Sequence, residues 1–96
     1  MSQIIVSSKE LDRKKDSLVA IRSTLNTQIG QFESTGKKLD SMWDGPAKKK
    51  YALALSMDIT KLKLLLKIID EFISVLTKII ALYKLMEKKN VATASS

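Results

Sequence analysis

The strongest constraint on the fold is a helix break close to the midpoint of the chain. Pro46 follows Gly45 in a sequence of 96 residues, and it is the only proline. Proline has no backbone N–H and interrupts a helix, but it fits the first turn of a new one. Glycine directly before it is a permissive N-cap. The pair therefore predicts two helices joined by one short connection.

The segment before the break has the periodicity of a helix that packs along one partner. Ser7, with Glu10 three residues later, forms a capping box and predicts a helix start near residue 8. We expect this helix to end near residue 40, because Lys37 and Lys38 suit the negative end of the helix dipole. One apolar row has the seven-residue spacing of coiled coils, and it consists of Leu11, Leu18, Leu25, Phe32 and Leu39.

The segment after the break has more apolar surface than one partner helix can cover. It contains no proline or glycine from residue 47 onward, so we predict a helix over about residues 46–89 and a disordered tail over residues 90–96. Its apolar arc is wider than the roughly 100° stripe of a surface helix. We expect the surplus to bind another chain. The residues predicted at this dimer or partner interface are Leu55, Leu62, Leu65, Ile69, Phe72, Leu76 and Ile79.

These two segments predict an all-α fold with a single domain over residues 1–96. Two long helices with one short connection form an antiparallel hairpin. A lone hairpin buries a modest core, and association is a common remedy when disulfides and metals are missing. We therefore expect two hairpins to pair into a four-helix bundle.

The residue types that are missing argue against an enzyme. The chain has no cysteine and no histidine, which removes disulfides, thiol chemistry and the two commonest zinc ligands. Its carboxylates are scattered along predicted surface faces rather than gathered at a concave site. We expect no catalytic activity, no metal and no cofactor.

The sequence carries neither of the two usual membrane-targeting signals. Residues 1–6 have no basic n-region and no extended apolar stretch, so they do not resemble a cleaved signal peptide. Charged residues also interrupt every stretch of about 18 residues, the length that a transmembrane helix requires. We expect no stable membrane insertion.

The net charge of +7 permits three kinds of binding partner: an acidic protein, nucleic acid or an anionic membrane. Lys48, Lys49 and Lys50 lie in the first turn of the second helix, where the dipole disfavours cations. We interpret them as a patch for an acidic partner, with Asp44 able to pair with Lys48. The alternative is a solvated lysine surface. No nucleic acid is expected, because no binding motif is present and aromatic residues do not interleave with the basic ones.

The bend contains the motif Trp43-Asp44-Gly45. Gly45 tolerates backbone conformations that other residues resist, and Asp44 lies beside the positive end of the second helix. Trp43 combines a large apolar body with one N–H donor, so it can fill a groove on another chain. The alternative is that Trp43 only packs the bend.

With this motif between two long helices, the cysteine-free chain resembles the WXG family of roughly hundred-residue secreted proteins, the ESAT-like group. Tyr83 and Glu87 also resemble the Tyr-x-x-x-Asp/Glu element that the family or its partners carry near the end of the second helix. The strong positive charge departs from the acidic or neutral pattern of many members.

The resemblance implies a substrate of the type VII (ESX-like) secretion system of Gram-positive bacteria. Such a protein is cytoplasmic before export, leaves as a folded dimer without a cleaved signal peptide, and becomes secreted or attached to the cell surface. The motif Trp43-Asp44-Gly45 of one chain would act beside Tyr83 and Glu87 of a second chain. Homodimer and heterodimer both remain open. The alternative function is that of a partner or targeting factor for a larger LXG-type secreted toxin. A basic nucleic-acid-binding helical protein is a further alternative, which the sequence favours less.

Overall fold

A computed structural model describes the backbone of residues 7–42 and 44–95, and the side chains of residues 7–42 and 44–90. It contains two α-helices, α1 (Ser8–Met42) and α2 (Pro46–Ser95), and no strand among these residues. The helices pack against each other along a rod that measures 77 × 24 × 18 Å. The prediction of an all-α helical hairpin is confirmed. Pairing into a four-helix bundle stays a prediction.

Ser7 is the N-cap of α1. Its hydroxyl oxygen accepts a hydrogen bond from the backbone N–H of Glu10 at 3.2 Å, and its carbonyl accepts the N–H of Leu11 at 3.1 Å. A serine that accepts from the third residue after it satisfies one of the N–H groups left open at a helix start. The helix then continues for 35 residues, through Gly30 and Gly36.

The connection between the helices depends on Gly45. Its φ is +111°, a backbone conformation that glycine adopts far more easily than a residue with a Cβ. The carbonyl of Gly45 accepts the N–H of Lys48 at 3.1 Å, which closes the first turn of α2 behind Pro46. Trp43 lies outside the described residues, so its predicted role stays a prediction.

The C-terminal end of α2 differs from the expectation. The helix continues through residues 90–95, where a disordered tail over residues 90–96 is expected from the sequence. This segment contains two alanines and no glycine or proline, so nothing in it stops a helix that has already formed.

The two helices meet along a thin line of partly buried side chains, called the seam below. Its most buried apolar residues are Ile29, Ile80 and Leu76, at 3%, 4% and 9% exposure. Buried or half-buried positions on α1 recur every three or four residues, and they include Ser8, Leu11, Leu18, Leu25, Ile29 and Leu39. Those on α2 do the same and include Leu55, Ile59, Leu62, Leu66, Ile69, Ile73, Leu76, Ile80, Tyr83 and Glu87. This alternation is the packing pattern of a coiled coil.

Candidate partner-binding surface

The seven predicted interface residues occupy two different faces of α2. One group is half-buried or buried in the seam against α1, and it consists of Leu55, Leu62, Ile69 and Leu76. The other group is exposed, and it consists of Leu65, Phe72 and Ile79. The first group is therefore used within the hairpin itself, and only the second remains open to another chain.

The exposed group belongs to a longer apolar surface, which we call the outer stripe. Its members lie three and four residues apart and are 37% to 59% exposed. They are Leu65, Ile68, Phe72, Val75, Ile79, Leu82 and Met86. At about 1.5 Å per residue, the stripe covers roughly 30 Å of α2. Large exposed apolar surfaces on small soluble proteins are typical of interaction sites.

The first helix extends the apolar surface beside the outer stripe. A shallow groove there is lined by Ile21, Thr24 and Gln28 of α1 together with Leu65 and Ile69 of α2. Ile21 is itself 55% exposed. A partner that covers the outer stripe would therefore also contact α1.

The opposite flank of the hairpin is lined with ion pairs between the two helices. Four carboxylates of the described residues pair across the two helices at 2.6 to 3.5 Å, and the pairs are Asp12–Lys84, Arg22–Asp70, Glu33–Lys63 and Asp40–Lys48. On α2, Lys63, Asp70 and Lys84 are multiples of seven residues apart, so they share one row. The row of the outer stripe that contains Leu65 is offset from this charged row by two residues, which corresponds to a rotation of roughly 200° around the helix axis. The charged row and the outer stripe therefore face opposite sides.

The pair of Arg22 and Asp70 has the most specific geometry on that flank. Nε of Arg22 donates to Oδ1 of Asp70 at 2.6 Å, and Nη2 donates to Oδ2 at 3.3 Å. This two-point contact with Asp70 raises the pKa of the Arg22 guanidinium. Exposed ion pairs contribute little stability one by one, but a two-point contact adds geometric specificity to the alignment of the two helices.

Near the bend, Lys48 has a different partner from the predicted one. Its Nζ lies 3.3 Å from Oδ1 of Asp40 on α1, whereas Asp44 is exposed in the connection. Lys48 is half-buried at the seam and therefore faces α1. Lys49 and Lys50 are exposed, which leaves them free for solvent or for an acidic partner.

A groove opens between the helices beside these charges. Gly36 and Ala52 present no large side chain there, and Leu55 leans into the space that a side chain at position 36 would occupy. The ion pairs Asp40–Lys48 and Glu33–Lys63 border this groove. Its rim thus carries both signs of charge already paired with each other.

At the opposite end of the hairpin, Glu87 is bound within its own chain. The backbone N–H of Ser8 donates to Oε1 of Glu87 at 2.8 Å, and the Ser8 hydroxyl donates to Oε2 at 2.6 Å. These bonds, the hydroxyl first, lower the pKa of Glu87, and the charge of Lys84 lowers it further. Tyr83, one turn earlier, is half-buried on the same face. The predicted export element is therefore partly incorporated in the seam.

This contact was not foreseen from the sequence. Ser8 and Glu87 are 79 residues apart, and only the register of the hairpin brings them together. The sequence contained only a weak indication of this contact. Ser8 lies at a predicted helix start, and the acidic Glu87 lies one turn after Tyr83, at a position that continues the three- and four-residue spacing of the seam on α2.

The described residues contain neither a cluster of metal-ligand side chains nor a candidate membrane-spanning helix. No group of three or more acidic, histidine or cysteine side chains among them could hold a metal ion. Neither helix, over the same residues, has an apolar run of the length and purity that crossing a bilayer demands.

Comparisons of the chain with family models, with curated proteins and with solved structures find no match. Its likeness to WXG proteins therefore depends on the motif Trp43-Asp44-Gly45, the element with Tyr83 and Glu87, and the hairpin between them.

Proposed function

We propose that this protein is a WXG-type helical hairpin that binds a second hairpin through its outer stripe and is exported by a type VII (ESX-like) secretion system. The observation that carries the proposal is the outer stripe, seven exposed apolar residues on the flank of α2 that faces away from the ion pairs.

Burial of the outer stripe would contribute enough free energy to make pairing feasible. Full burial of one Leu, Ile or Phe side chain contributes about 1.5–3 kcal/mol, and the members of the outer stripe are roughly half exposed. Covering all seven would therefore contribute on the order of 5–10 kcal/mol. That range is comparable with the estimated cost of association, about 4–15 kcal/mol, so contacts from α1 and from polar groups at the rim would decide the affinity.

The spacing of the outer stripe suits a helical partner. Apolar residues at alternating intervals of three and four fit a helix that crosses at roughly 20°, as in most four-helix bundles. A second hairpin lying along the rod would supply such a helix over the full length of the stripe.

The placement of the two motifs supports pairing as well. Asp44 and Gly45 lie at the bend, whereas Tyr83 and Glu87 lie near the opposite end of a rod 77 Å long. Within one chain these motifs cannot form one recognition surface. A second hairpin in the antiparallel direction would bring its own open end beside the bend of the first.

The proposal is tested by an export assay in the bacterium that encodes the chain. The tagged protein should appear in the medium or at the cell surface of the parent strain. It should stay in the cells of a strain that lacks the membrane ATPase of the secretion system. A cytoplasmic marker controls for lysis. Equal export from both strains would overturn the proposal.

A second candidate function is favoured by one observation, the uncompensated positive charge of +7. The protein would then accompany a larger LXG-type toxin rather than work as a dimer of itself. Co-purification with the toxin from the native host, lost when Phe72 is replaced by serine, would support this second function. Export of the chain in a toxin-deletion strain at the parental level would contradict it.

A further inference from the structure

We propose that the outer stripe binds a different protein rather than a second copy of this chain, and that the partner's apolar helical face is acidic at both ends. This inference rests on the proposed pairing function and identifies the chemistry of the partner.

The argument starts from how the charges are spread along the rod. At the bend, residues 37–50 carry five lysines and two aspartates, a net charge of +3. At the open end, residues 9–16 carry four basic and three acidic residues, and residues 84–89 carry three lysines and one glutamate. Together these two segments also have a net charge of +3. The middle of the rod holds the remaining +1.

This distribution opposes self-pairing in either direction. Two parallel copies would place bend against bend and open end against open end. Two antiparallel copies would place each bend against an open end. Because both ends are +3, every side-by-side arrangement brings like charges together twice. Like charges brought together across an interface disfavour association.

Three of the six carboxylates near the two ends are already engaged within the hairpin. Near the open end, Asp12 pairs with Lys84 and Glu87 accepts two hydrogen bonds from Ser8. Near the bend, Asp40 pairs with Lys48. These acidic groups would have to leave partners within the hairpin before they could pair with a second copy.

The outer stripe itself also has positive charge at both ends. Its row through Ile68, Val75 and Leu82 continues with Lys61 before it and Lys89 after it, at the seven-residue spacing. Lys61 and Lys89 are equally distant from Val75, so antiparallel self-pairing centred on the stripe would place them opposite each other. Glu71 of one copy and Lys78 of the other would attract each other in that arrangement. They lie in the middle of α2 between Lys61 and Lys89, however, so the positive charges at both ends would stay uncompensated. A partner with carboxylates at the ends of its apolar face would meet these lysines favourably.

The test uses the full chain and a charge-reversed copy of it as a defined probe. In the probe, Lys49, Lys50, Lys88 and Lys89 are all replaced by glutamate. None of these lysines is in one of the four ion pairs across the helices, and all four are exposed. The replacements change each end from +3 to −1 and leave the outer stripe intact. Circular dichroism establishes that the probe is folded.

Sedimentation equilibrium then compares the wild-type chain alone with its mixture with the probe. At low salt we expect the mixed pair to be at least tenfold tighter than the wild-type pair. The difference should shrink as salt screens the charges. Replacing Phe72 by serine in both chains should abolish the mixed pair, because it places a polar group in the middle of the stripe.

The other outcomes separate this inference from the function on which it rests. Wild-type pairing at low salt that is as tight as the mixed pair would overturn the acidic-partner inference and leave the pairing function standing. Absence of association in every mixture and at every salt concentration would overturn the pairing function itself. Binding of the wild-type chain to phosphatidylglycerol vesicles that depends on Phe72, without any mixed pair, would assign the stripe to a lipid surface and overturn both.

Discussion

Glu87, near the end of α2, caps the first turn of α1 by accepting hydrogen bonds from both the backbone N–H and the hydroxyl of Ser8. The two distances are 2.8 and 2.6 Å. The first N–H groups of a helix have no partner within it, and a carboxylate there is also favoured by the helix dipole. The Glu87 side chain thus links the two helices at the open end of the hairpin. It also provides a hydrogen-bond acceptor for the backbone N–H of Ser8 at the start of α1.

This contact predicts a pH dependence of stability that can be assigned to one carboxyl group. The pKa of Glu87 lies below its ordinary value of 4.5, chiefly because the Ser8 hydroxyl donates to it. Because the pKa of Glu87 is lower in the folded state than in the unfolded state, the ionised carboxylate stabilises the fold. This stabilisation is fully present above the pKa of Glu87 in the unfolded state. It is lost as pH falls through the pKa of Glu87 in the folded state. The stability difference between wild type and Glu87→Gln should therefore be constant near neutrality and shrink in acid below about pH 4.5.

The measurement is an NMR titration of the Glu87 carboxyl carbon, together with thermal unfolding of both proteins as pH is lowered. Ser8→Ala is the matched control: it keeps the backbone donor and removes the hydroxyl, so the pKa of Glu87 should move back toward 4.5 without reaching it. A Glu87 that titrates at or above its ordinary value in the wild type would contradict the contact.

The same pair of residues separates a structural role of Glu87 from a role in export. Glu87→Ala removes the carboxylate and therefore both the cap and any recognition by the secretion machinery. Ser8→Ala weakens the cap and leaves the carboxylate in place. If the machinery recognises Glu87 directly, export should be lost in Glu87→Ala and retained in Ser8→Ala. Equal loss of export in both variants would instead indicate that the closed end of the hairpin is what the machinery requires.

Trp43→Ala should reduce export and leave the helices formed. In the sequence, the residue follows Met42, the last described residue of α1, and precedes the bend at Gly45. Circular dichroism should show nearly unchanged helicity, and the secreted fraction should fall. Met42→Ala is a suitable control because Met42 precedes Trp43 in the sequence and its own side chain is 81% exposed. General unfolding of the Trp43 variant would make Trp43 a structural residue rather than a recognition residue.

The hairpin could be predicted from the sequence because its determinants are local. Gly45 and Pro46 break one helix and start the next, and the seven-residue spacing of apolar residues is visible without knowing what they contact. The positive φ of Gly45 agrees with the conformational freedom that its place in the bend suggested.

The division of α2 between seam and outer stripe could not be predicted in the same way. Leu62 and Leu65 are equally apolar, and only the register of α1 decides that Leu62 faces inward while Leu65 stays exposed. The pairing of Lys48 with Asp40 instead of Asp44 has the same origin, since it depends on which turn of α1 lies opposite the start of α2.

The two glycines within α1 offer a matched test of how closely the seam is packed. At Gly30 an added Cβ would meet nothing within 4 Å, whereas at Gly36 it would lie 2.8 Å from Cδ2 of Leu55. Replacing glycine by alanine in a helix interior favours the helix by about 1 kcal/mol. Gly30→Ala should therefore raise the free energy of unfolding by about that amount.

Gly36→Ala should gain less, or lose stability, because Leu55 has to move out of the space that it occupies beside residue 36. Chemical denaturation of the two variants and the wild type measures the difference. A double variant that combines Gly36→Ala with Leu55→Ala should recover the helix-propensity gain relative to Leu55→Ala alone, because the obstruction is gone. An equal gain for Gly30→Ala and Gly36→Ala in the wild-type background would show that Leu55 does not rest against α1 at this position, and that the seam near the bend is looser than the structure indicates.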